Sequence, residues 1–130
     1  MPGCEHAFVT SDGSPFTRLR RAIATGNVTI AWAAAAELPR VPLPEALGLC
    51  LILRDTDPER FDRAIVRWHA RFCLEVRGIG VGEAQLALAA LRGLRGPELE
   101  PAARALGALC GSRGMGDAER VVEEWLDGRT

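Results

Sequence analysis

The chain has 130 residues, 48% of them hydrophobic and 25% charged, with a formal net charge of −1. That balance excludes wholesale disorder and supplies enough apolar material for one real core. It also removes any general electrostatic case for nucleic acid.

Residues 1–13 lack periodicity and read as a flexible N-terminal tail. Met1-Pro2-Gly3-Cys4-Glu5-His6 has no basic region followed by an apolar one, so no secretory signal is expected. Residues 14–127 read as a single all-helical domain. Ser14-Pro15 is an N-cap followed by a first helical residue, with Phe16, Leu19, Ala22 and Ile23 forming a buried face up to a stop at Gly26. A second helix opens at Asn27 and places Val28, Ala31, Trp32, Ala35 and Leu38 at helical spacing. Pro39, Pro42 and Pro44 then punctuate a link.

Residues 46–53 are apolar on every side, which implies a helix buried all round. The charged turn Arg54-Asp55-Thr56-Asp57 follows, and a long helix opens with Asp57 as cap, Pro58 at its first position and Glu59 at the positive end of its dipole. Phe61, Ile65, Trp68 and Phe72 step by four, three and four residues and share one stripe, which Val66, Cys73 and Val76 widen into an apolar arc. Trp68 is expected to bury against residues 46–53, and Gly78 to stop the helix. Opposite the arc lie Arg60, Arg63, Arg67 and Arg71, within roughly a quarter turn at about 100° per residue.

A fifth helix, about residues 83–95, carries Ala84, Ala87, Leu88, Leu91 and Leu94 as one stripe flanked by Leu86 and Ala90. Gly96-Pro97 breaks the chain. A sixth helix holds Leu99, Ala102, Ala103, Leu106, Leu109 and Cys110 and ends near Gly114. Asp117 caps a seventh with Ala118, Val121, Val122, Trp125 and Leu126. No segment alternates at period two over strand length. The predicted fold is therefore all-α, about seven helices in antiparallel hairpins, compact and either helical-repeat-like or an orthogonal bundle.

Candidate chemistry is sparse. His69 and Cys73 are i, i+4, a spacing able to hold two ligands of one zinc ion, with Cys4, Glu5 and His6 as further donors. Both helical residues sit on the apolar arc, no paired-cysteine motif supports them, and no metal is expected. Asp55, Asp57, Glu59 and Asp62 cluster at the start of the long helix, where acids cap amides and complement the dipole. Gly78, Gly80 and Gly82 precede a helix as phosphate-cradling loops do, but they follow a helix and lack a Lys-Ser/Thr pair. They read as a stop and a start, and no cofactor is expected. Cys4, Cys50, Cys73 and Cys110 are widely spaced and read as free thiols of a reducing cytoplasm. No nucleophile and base fall in a catalytic arrangement, so the chain reads as non-enzymatic.

Two stretches carry a resemblance. Residues 109–125, LCGSRGMGDAERVVEEW, resemble the turn and second helix of a tetratricopeptide-type repeat through Leu109, Gly114, Ala118 and Val122. Residues 23–38, IATGNVTIAWAAAAEL, are similar through Ile23, Gly26 and Ala31. The two cover about a quarter of the chain, without a regular 34-residue period. The resemblance implies a helical superhelix that binds a protein partner. All 16 basic residues are arginine, with no lysine and no tyrosine, the usage of a GC-rich bacterial genome. As a whole the chain is similar to small helical proteins of GC-rich actinobacteria, which implies no activity.

Arg60, Arg63, Arg67 and Arg71 are the candidate partner-binding residues, able to grip an acidic surface. The alternative is a solvated face with a Glu59–Arg63 pair. The functional expectation is a cytoplasmic protein-interaction or accessory module with no membrane span, since the longest apolar run has eight residues. The other reading is a small nucleic-acid-binding regulator with a helix-turn-helix around residues 54–57 and the arginine face as its contact.

Overall fold

The computed structural model describes residues 13–129. The tail expected over residues 1–13, and Cys4, Glu5 and His6 with it, lies outside them apart from Gly13. The described residues contain seven helices and no strand: α1 Pro15–Thr25, α2 Val28–Ala36, α3 Leu43–Thr56, α4 Pro58–Glu75, α5 Val81–Gly93, α6 Leu99–Ser112 and α7 Gly116–Asp127.

The boundaries follow local chemistry. Ser14 Oγ accepts from the Thr17 N–H at 3.1 Å and starts α1. Gly26, at φ 73°, ends it in the left-handed conformation that only glycine adopts without strain. Asn27 Oδ1 accepts from the Ile30 N–H at 3.0 Å and opens α2. Asp57 alone separates α3 from α4: its N–H donates to the Leu53 carbonyl while its carboxylate accepts from the Arg60 N–H.

Three boundaries differ from expectation. α4 stops at Glu75, where the Val76 N–H still closes on Phe72 O, and Gly78 takes φ 82° in the link beyond. α5 then begins at Val81, two residues ahead of Glu83. α7 begins at Gly116, with Met115 as a cap that offers no side-chain bond, so Asp117 is its second residue and pairs with Arg120 at 3.2 Å instead. The cause is the short turn. Gly114, at φ 77°, ends α6, and Met115 alone remains to cap α7.

α3 is the axis of the molecule. It packs against α1, α2, α4 and α7, and α4 to α7 pack each on the next until α7 returns to α3. The larger core fills that closed ring with Leu47, Leu51, Leu53, Phe61, Trp68, Phe72, Leu91, Leu94, Leu106 and Val122. A smaller core joins α1 and α2 to the other side of α3 through Leu19, Ala22, Ala31, Ala34, Leu49 and Ile52. α3 is thus apolar all round because helices meet it on nearly every side. Trp68 is 2% exposed, stacks on Phe72 with centroids 5.3 Å apart, and donates its Nε1–H to Leu43 O at 2.9 Å. Its burial against α3 is as the stripe predicts.

Three large residues expected on buried faces are not buried. Phe16 and Trp32 are exposed, and each carries a guanidinium over its ring, Arg20 at 5.8 Å and Arg60 at 4.9 Å. Val66, expected to widen the apolar arc of α4, is 63% exposed. At α5, Leu86 also lies exposed.

Candidate functional site

α4 divides sharply between two faces. Phe61, Ile65, Trp68 and Phe72 turn inward and are buried. The half-turn that no other helix covers carries Arg63, Val66, Arg67, Ala70 and Leu74, all exposed. The four candidate arginines do not behave alike. Arg60 lies over Trp32 and 3.7 Å from the Asp57 carboxylate. Arg71 donates from Nε to Glu75 at 2.7 Å, and the same carboxylate accepts from Arg40 beyond the end of α2. Arg63 and Arg67 have no ion-pair partner among the described residues. The expected Glu59–Arg63 pair does not form: Glu59 stays in the first turn, where its charge already meets the helix dipole.

Two acids flanking this face, Glu75 and Asp62, are occupied, while Glu59 lies exposed in the first turn. The Arg71 guanidinium, helped by Arg40, outweighs a small desolvation and holds the Glu75 carboxyl below the usual carboxylate range. Asp62 takes Arg95 from beyond α5 at 2.8 Å. The outer face of α4 therefore presents unpaired cations with two bare aliphatic side chains among them, Val66 and Leu74, the latter 85% exposed.

The remaining sequence candidates disperse. Asp55, Asp57, Glu59 and Asp62 share no centre. Asp55 instead accepts from Trp125 Nε1 at 3.1 Å and Arg129 at 2.8 Å, pinning the end of α7 to the end of α3. His69 Nε2 lies 2.7 Å from the Ala84 carbonyl, which assigns its proton to that nitrogen, and Cys73 Sγ is 3.7 Å from it. No three His, Cys, Asp or Glu residues converge on a metal-sized site among the described residues. Gly80 starts α5, Gly82 lies in its first turn, and Gly78 sits against the Arg113 side chain. Cys50, Cys73 and Cys110 are free. Burial pushes the Cys50 thiol up to about 12 and that of Cys110 up to about 11, so both stay protonated.

Sequence reasoning missed several polar groups that tie elements far apart in the chain. Arg113 pairs with Glu83, joining α5 to the end of α6, and Arg54 Nε donates to Leu94 O at 2.8 Å. Glu45 is buried on α3. Nothing in the spacing of these residues marks them, because each partner is 30 residues or more away or, for Glu45, on a separate helix.

Comparison with protein-family models, curated proteins and solved structures finds no match. Among the described residues no helix is long and apolar enough to cross a membrane.

Proposed function

We propose that this protein is a non-enzymatic cytoplasmic interaction or accessory module that engages an acidic protein surface through the outer face of α4. One observation carries the reading: Arg63 and Arg67 stand exposed and unpaired beside exposed Val66 and Leu74, on a helix whose other face is fully packed. Guanidinium forks with aliphatic neighbours suit a protein partner that offers carboxylates around apolar contacts. The non-enzymatic reading is supported by the state of the reactive groups: His69 is engaged with a backbone carbonyl, and two thiols are held protonated by burial.

A regulator that grips nucleic acid has less behind it. With Arg60 and Arg71 engaged, the free cations of the face among the described residues are Arg63 and Arg67, and two phosphate contacts give a log–log salt slope of only about −1.8. The test is affinity purification from the source cells with wild-type and Arg63→Gln/Arg67→Gln baits, together with duplex DNA titrations. The expected outcome is a protein recovered by the wild type and lost from the double variant, with negligible DNA binding at physiological salt. Identical recoveries from both baits would remove the α4 face from the function. Sub-micromolar DNA binding lost in the double variant would make the regulator the better reading.

A further inference from the structure

A surface helix ordinarily keeps one apolar stripe and a polar opposite side. α4 has two. The inner one, Phe61, Ile65, Trp68 and Phe72, is spent on the core. On the opposite side Val66, Ala70 and Leu74 recur every four residues, interleaved with Arg63 and Arg67, and all five are exposed. At about 100° per residue they fall within roughly 100° of arc. From Arg63 to Leu74 the line runs eleven residues, about 16 Å or three turns. This recurrence every three to four residues is the one by which a helix meets another helix. Ala70, the smallest side chain of the five, stands in the middle, where it lets a second backbone approach closely.

Shape and charge narrow the occupant. The outer side of a single helix is convex, so it cannot enclose a small molecule as a pocket does. A second copy fits by shape and fails by charge. Pairing α4 with itself antiparallel about Ala70 would set Val66 on Leu74 of the other copy. It would also lay Arg63 and Arg67 along the half of α4 where Arg71 and Arg40 already hold Glu75. Asp62 is taken by Arg95, and Glu59 lies more than a dozen residues along the helix from where those arginines would fall. In the parallel arrangement arginine would face arginine. Copies of this chain therefore bring cations together without free carboxylates to receive them.

We infer that the occupant of this face is an acidic amphipathic helix of a partner protein, laid along α4 with an apolar stripe over Val66, Ala70 and Leu74. Its aspartates or glutamates, one turn apart, meet Arg63 and Arg67. This rests on the reading of the α4 face given above and names the partner's form. Arg63 and Arg67 are themselves one turn apart, so carboxylates at i, i+4 of a helix alongside match them. Each guanidinium fork can then take a carboxylate, while the apolar stripes exclude water between the two helices.

The probe is a displayed library of helices about 14 residues long, roughly four turns, with Glu, Gln, Arg, Ala and Leu allowed on one face, selected on the full chain. Enriched sequences are expected to carry two glutamates one turn apart beside an apolar stripe. Their affinity should fall about tenfold on Arg63→Gln/Arg67→Gln, the effect of removing a charged hydrogen-bond partner. It should fall comparably on Val66→Gln/Leu74→Gln, and on Ala70→Trp, which holds the two backbones apart. A proline at the centre of an enriched sequence should abolish binding by breaking the helix. All these positions are exposed, so the variants should melt with the wild type. Enrichment of basic or uncharged sequences, or of none, would overturn the assignment. So would binding indifferent to the proline or to Ala70→Trp. The two readings fail separately when the same variants serve as baits in cell extracts. A partner lost from Arg63→Gln/Arg67→Gln but kept by Ala70→Trp and Val66→Gln/Leu74→Gln would leave the acidic surface standing and remove the helix. A partner kept by all of them would remove both.

Discussion

Trp68 carries the largest single packing role. It is fully enclosed by α3 and α4, and its Nε1–H satisfies the Leu43 carbonyl in the first turn of α3. Trp68→Ala should cost roughly 3–5 kcal/mol, the usual range for a large aromatic lost from a core. Trp68→Phe retains the stack on Phe72 and removes only the second hydrogen bond to a carbonyl that α3 already engages, for about 1 kcal/mol. Denaturant melts of the three proteins check both values, and a loss well under the core range for the alanine variant would mean the site relaxes around the cavity. The cysteines give a second test at this scale. Cys50 and Cys110 are buried and protonated, while Cys73 is partly exposed beside His69. Brief alkylation of the folded protein followed by peptide mapping should label Cys73 and spare Cys50 and Cys110 until denaturant is added. Early labelling of Cys50 would place α3 in solvent-accessible openings.

At the scale of the helix, α4 shows what a linear pattern reveals. Its start at Asp57-Pro58 and its inward seam were legible, because capping and 3.6-residue periodicity act within a few residues. The starts of α1 and α2 at Ser14 and Asn27 were legible for the same reason. The fate of Val66 and Trp32 was not, since it depends on where α2 and α5 come to rest beside α4. The arginine face was legible as a stripe, but its division into engaged and free members was not: Arg60 is taken by Trp32 and Asp57, and Arg71 by Glu75. That division sharpens a prediction. Arg63→Gln/Arg67→Gln removes two charges with no ion-pair partner among the described residues from an exposed helix surface, so the stability loss should stay under about 1 kcal/mol. A urea melt shifted by more than that would show the two guanidiniums to be structural and would weaken the interaction reading.

Across the whole molecule, stability is tied to charge pairs that bridge distant elements, and their response to acid has a definite sign. Desolvation lifts the Asp55 carboxyl, but hydrogen bonds from Arg129, Trp125 and Arg54 outweigh it and hold the group below its ordinary 3.8. Hydrogen bonds from Arg71 and Arg113 hold Glu75 and Glu83 below their ordinary 4.5. Each of these groups binds fewer protons folded than unfolded near pH 4. Their contributions are therefore present above the unfolded values and are lost as pH falls through the folded ones. Glu45 runs the other way. Desolvation raises its folded pKa above 4.5, so its contribution is fully present below that value and lost as pH rises through the raised one. The lowered groups outnumber it, and the protein should lose stability on acidification below about pH 4.5. Asp55→Asn should destabilise at neutral pH, by less than about 1 kcal/mol because the clasp is partly solvated, and should match the wild type once Asp55 is protonated in both states. Glu45→Gln should do the reverse, stabilising at neutral pH and converging with the wild type in acid. Urea melts of the three proteins at about pH 3 and about pH 7 read both differences. An Asp55→Asn penalty of equal size at the two pH values would show that the clasp acts by shape rather than by charge.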